Sequence, residues 1–121
     1  MPRDSDEQRA ARREARRLAA RRAPTAPLGV ARDARRLVDM AAELAPLANA
    51  HVVSDVAAAA QLARAATAAA LVTVRVNLPA KPSAADEQFY VDARAQAAKI
   101  AANLDEIVGD IQASVEKTID V

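Results

Sequence analysis

The chain has 121 residues, enough for one domain with a modest core and too few for two. It holds no Cys and one His, which excludes a disulfide framework, a thiolate zinc site, a cysteine nucleophile and a histidine-cluster metal site. A formal net charge of +1 hides a division, because residues 1–36 carry eleven Arg against five acids and residues 37–121 carry six basic residues against eleven acids.

In chain order, Ser5 stands three residues ahead of Gln8 in a capping-box spacing, with Asp6 and Glu7 where a helix N-terminus favours acids. This predicts a helix over 6–22. Its arginines at 9, 12, 13, 16, 17, 21 and 22 spread around the helix with no aromatic between them, which favours a solvated or acid-paired surface over a nucleic-acid patch. After a break at residues 23–27, Val30, Ala34, Leu37, Ala41 and Leu44 recur at helical spacing, with Val38 and Ala45 widening the stripe, and predict a second amphipathic helix that ends near Pro46.

Ser54 reads as the cap of a third helix, with Asp55 in its first turn. Residues 56–70 favour helix, whereas residues 71–78, LVTVRVNL, alternate as a strand would. A lone strand would leave its backbone groups unsatisfied, so the segment is kept helical. A break at 79–83 follows, with Ser83 and Asp86 in capping-box spacing. Phe89, Ala93, Ala97, Ile100, Leu104, Ile107, Ile111 and Val115 then form a near-heptad stripe that predicts one long last helix. The expectation is an all-α single domain over 1–121, a bundle of three to four long helices completed by dimerisation. Its core is small-residue, since Ala and Val supply most of the apolar content.

Gln61, Arg64, Thr73 and Arg75 interrupt the best apolar stretch, so no membrane span is expected. No signal-peptide core is found and the N-terminus is acid-bearing, which with the absence of Cys makes the cytoplasm the default compartment. Gly29 and Gly109 are the only glycines, so there is no phosphate-cradling loop. His51 reads as a loop residue, and Ser54 has no base near it in sequence. Asp55, Arg64, Arg75 and Asn77 remain on an otherwise apolar helix. Either Asp55 serves the helix N-terminus while the arginines reach to water, or they mark a site.

HVVSDVAAAAQLARAATAAALVTVRVNL and DEQFYVDARAQAAKIAANLDEIVGDIQ together resemble the cyclodeaminase/cyclohydrolase family, which includes formiminotransferase-cyclodeaminase and methenyltetrahydrofolate cyclohydrolase. Asn49, Val53, Ser54, Asp55, Val56, Val74, Arg75, Asn77 and Leu78 match its characteristic run, and MPRDSDEQRAARR and Pro27-Leu28 extend the likeness upstream. The departures are Ala50 and His51 for Pro and Asn, Ala57 and Ala69 for glycines, and Thr73 for Asn. The resemblance implies an N-terminally shortened member, with a Gly-rich helix and an acid-bearing helix of the family lying ahead of the matched segment.

It further implies a helical homodimer acting on a one-carbon tetrahydrofolate derivative, with no metal and no cofactor beyond that substrate. The reaction would be loss of ammonia from the 5-formimino compound to close the methenyl ring, or hydrolytic opening of that ring. Asp55 would orient or exchange protons, Ser54 and Asn77 would hydrogen-bond the pterin or one-carbon unit, and Arg75 would face a carboxylate. Arg16 and Arg17 would hold a polyglutamate tail.

Two rivals stand beside this reading: a catalytically inactive dimerisation module derived from the family, and an anion-binding or nucleic-acid-binding helical protein. Geometry adds a constraint. Asp55 and Asn77 are 22 residues apart, so one continuous helix separates them by roughly 33 Å while keeping them within ~40° of a common face. An antiparallel pairing of this helix between two subunits would bring them together.

Overall fold

The computed structural model describes residues 4–120, which form five helices and, among those residues, no strand. They are α1 (Asp6–Arg22), α2 (Thr25–Leu44), α3 (Val53–Val76), α4 (Glu87–Ala101) and α5 (Leu104–Ile119). The all-α expectation holds, and α1, α2, α3 and the α4–α5 rod occupy the four predicted helical segments.

Local chemistry sets the start of α1. The Ser5 hydroxyl accepts from the Gln8 N–H at 3.2 Å and the Gln8 side chain accepts from the Ser5 N–H at 2.8 Å, the reciprocal box that the spacing predicts. Two other caps differ from expectation. α3 begins at Val53, so Ser54 lies inside the first turn and caps nothing. Ser83 does not cap α4 either, since its hydroxyl donates to the Asp86 carboxylate at 3.2 Å.

α2 and α3 run antiparallel as the spine of the molecule. They meet through their smaller faces: Ala31, Ala34, Val38, Ala41 and Ala45 on one side, Val56, Ala60, Ala63, Thr67, Ala70 and Val74 on the other, all buried. The predicted α2 stripe is therefore corrected. Ala34, Val38, Ala41 and Ala45 are inside, whereas Val30, Leu37 and Leu44 are exposed. α2 has apolar residues on two faces, and the alanine-rich one lets two backbones approach closely. Thr67 is accommodated in this seam because its hydroxyl donates to the Ala63 carbonyl at 2.7 Å.

The last predicted helix is broken in two. Ala102 is extended and Asn103 is left-handed at φ 58°, which ends α4 and starts α5. Arg35 of α2 secures the break by donating to the Ile100 carbonyl at 2.6 Å and the Ala102 carbonyl at 2.7 Å, groups that a helix C-terminus leaves unsatisfied. α5 then covers one half of the spine, with Leu104, Val108, Ile111 and Val115 buried against Val38, Val53 and Val56. α4 covers the other half, with Ala93 and Ile100 against Leu28, Leu71 and Val74.

Residues 71–76 are helical, which settles the ambiguous segment for helix. α3 is long and apolar enough, by length and composition, to cross a membrane, with a mean hydropathy of 1.4 over an 18-residue window. Its four polar interruptions are thus too few to remove it from that class. In the fold one of its faces is core, packed on α2, α4 and α5.

Candidate functional site

α3 carries all four candidate residues of the central run, and as a continuous helix it holds them apart. Ser54 and Asp55 stand in its first turn, Arg75 in its last, and Asn77 at its C-cap. The rise from Asp55 to Asn77 remains about 33 Å, and Arg75 lies roughly 160° around the helix from Asp55.

The Asp55 side chain is exposed and overlooks a depression of about 470 Å³, walled by Leu44, Leu47, Val52, Val56 and Ala59, with Asn49 as its other polar lining residue. Asn49 is fixed there because its side-chain oxygen accepts the His51 N–H at 2.9 Å, a local turn that mimics backbone bonding. His51 is an exposed turn residue, as expected. Ser54 is exposed. The Asn77 amide donates to the Thr73 carbonyl at 2.9 Å, so it closes the last turn of α3.

Arg75 lies on the opposite flank, in a groove of about 550 Å³ between α3 and the α4–α5 rod. Arg64 and Arg94 share that groove with Asp105, which accepts from Arg64 at 2.6 Å.

Of the two arginines assigned to a polyanionic tail, Arg16 is exposed and Arg17 is engaged within the chain. Arg17 donates to both oxygens of Glu14 at 2.9 and 2.7 Å and to Asp86 at 2.7 Å. The bond from Arg17 holds the Glu14 carboxyl below its ordinary range, and Arg17 is itself held further toward its charged form, first by Glu14. Arg21 approaches Asp86 at 3.5 Å and lies 4.6 Å over the Phe89 ring. Asp86 is only 3% exposed. α1 has no buried residue of its own, and these polar and cation–π contacts tie it to the bundle.

A formiminotransferase-cyclodeaminase family model matches residues 1–113. The chain belongs to the formiminotransferase-cyclodeaminase family. No curated protein and no solved structure gives a match.

Within this family member, two residues of the characteristic run, Asn49 and Asp55, meet at one depression. Arg75 belongs to a second cavity, and Asn77 lines neither. Sequence reasoning missed Asp86, Arg94 and Asp105. For Asp86 the only signal was the excess of arginine on α1, which favours an acid-paired surface without naming the acid. For Arg94 and Asp105 none was, because their partners are set by how the rod lies on α3.

Proposed function

We propose that this chain binds a tetrahydrofolate derivative and acts on its one-carbon unit as a cyclodeaminase or cyclohydrolase. The family match over residues 1–113 carries the reading. Supporting it is a carboxylate, Asp55, on the rim of a largely apolar depression with an amide, Asn49, beside it. Ring closure of a formimino group needs a proton delivered to the departing ammonia, and ring opening needs a proton taken from water. A positioned carboxyl group serves either task.

The rest of the site comes from a second subunit in this proposal. Ala58, Leu62, Ala65, Ala69, Val72 and Val76 recur on the outer face of α3 at alternating spacings of four and three, and all are exposed. Paired antiparallel about its centre, this stripe sets Leu62 against Val72 of the partner subunit and Ala65 against Ala69 of the partner subunit. The same register brings Asp55 beside Asn77 of the partner subunit, on the flank they share. Ser54 would then bond the pterin or one-carbon unit, whereas Arg75, in the cavity on the opposite flank of α3, takes no part in this site. Arg16 is better placed than Arg17 to hold a glutamate tail.

The test is turnover of methenyl- and formiminotetrahydrofolate, followed by absorbance, for the wild type and Asp55→Asn. The variant should lose about 10²-fold or more in rate while still binding folate. An unchanged rate would remove Asp55 from the chemistry. A second reading, an inactive dimerisation module, is favoured by the exposed α3 stripe, which pairs subunits whether or not chemistry survives. It is the conclusion if the wild type dimerises and turns over neither compound.

A further inference from the structure

We propose that an arginine row on the exposed side of α1 binds the phosphate backbone of a nucleic-acid duplex without sequence preference. The arginines of this helix look dispersed in sequence, and the structure divides them into sets. Arg17 and Arg21 turn toward α4, where they pair with Asp86 and Arg21 also covers Phe89. Arg9, Arg12, Arg13 and Arg16 lie beside that anchored face within roughly 100° of arc, and span about 10 Å along the helix axis. All four are exposed. Arg9 and Arg12 pair with Asp6 and Asp4, exposed neighbours whose hold on a guanidinium is weak in water. Arg13 and Arg16 have no ion-pairing partner among the described residues.

What the row lacks selects its ligand. Within α1 the same arc otherwise holds only Ala20. A partner helix needs an apolar seam, and insertion into an anionic membrane needs a buried apolar face. Neither can form here. No aromatic is interleaved to stack on an unpaired base, which sets single strands aside. A duplex backbone asks for none of these, because arginines that neutralise its phosphates release counterions and their planar forks match phosphate oxygens. Residues 37–121 carry eleven acids against six basic residues, so the attraction belongs to the N-terminal part of the chain and sets which face docks.

The inference rests on this row alone and not on folate turnover. Arg16 is also the residue offered to a glutamate tail, and the two anions would compete for it.

The test is fluorescence anisotropy of a labelled duplex of about 20 base pairs, titrated with the full chain over a range of salt, with pentaglutamate as a second probe. Log K should fall with log salt at a slope of about −3 to −4, as expected for four guanidinium groups on phosphates. Duplexes of unrelated sequence should bind alike. Arg13→Gln with Arg16→Gln should lower the slope by about 2 and weaken binding about tenfold or more at low salt, with helical circular dichroism retained. Arg22→Gln, on another face of α1, should change the affinity by no more than about twofold. Absence of binding at low salt, a slope near zero, equal losses in Arg22→Gln and the double variant, or pentaglutamate held as tightly as the duplex would each overturn the proposal.

Discussion

Asp86 shows how one carboxylate can hold an element that has no core of its own. It is nearly sealed from water, accepts from Arg17 at 2.7 Å and from Ser83 at 3.2 Å, and has Arg21 at 3.5 Å. Asp86→Ala removes the common acceptor, and a hydrogen bond to a charged group contributes about 1.5–3 kcal/mol. The expected result is that α1 amides exchange with solvent about tenfold faster or more while α3 amides keep their protection. Equal loss across the bundle would show instead that α1 docking is part of global stability. Glu14 gives the same interface a pH dependence. Its folded pKa is lowered by Arg17, so its contribution is present above the unfolded carboxylate value and lost as pH falls through the folded one. α1 signals should therefore change at acidic pH before the core melts, and Glu14→Gln should abolish that dependence on this carboxyl, as followed by amide resonances.

Among the elements, the α4–α5 junction is where periodicity misled and local backbone chemistry decided. The apolar stripe runs through Leu104 without a gap, because both helices press on the same spine. The break is written in Asn103, a residue that tolerates the left-handed conformation, and in Asp105 and Glu106, acids in a new first turn. Asn103→Ala should cost about 1–2 kcal/mol through its φ of 58°. Asn103→Gly should be near neutral, since glycine adopts that conformation freely. Urea unfolding of both variants checks the pair, and an equal cost would mean that the Asn side chain, not the backbone, matters. α1 was legible to the residue because a capping box involves only neighbours in sequence. The buried face of α2 was legible only in Ala34, Val38, Ala41 and Ala45, because its two apolar faces differ only in which one finds α3.

At the scale of the molecule, the fold leaves two apolar surfaces outside. One is the outer stripe of α3, and the other is Leu37, Met40, Leu44 and Leu47 beside α3, around a depression of about 470 Å³. The proposed antiparallel pairing uses the first, where alanines at the centre allow close approach. Ala69→Glu, which places charges across that centre, should shift the protein from dimer to monomer in light scattering after gel filtration. Leu47→Glu, at a residue 81% exposed on the other surface, should not. The opposite result would move the subunit interface to α2. Either way the helical content should be retained, because neither residue is in the core.

By itself the sequence determined the helical class, the extent of α1 and the small-residue character of its core, since each follows from composition or from neighbours within one turn, while the family follows from a likeness spread over residues 1–113. Only the tertiary structure decided which α2 face is buried, where the last helix breaks and which polar residues meet. Asn49 joins Asp55 because a turn folds it back, and Arg75 joins Arg94 because α4 lies on that flank of α3. Such pairings depend on the position of one rigid helix against another, which the spacing of residues within either helix does not specify.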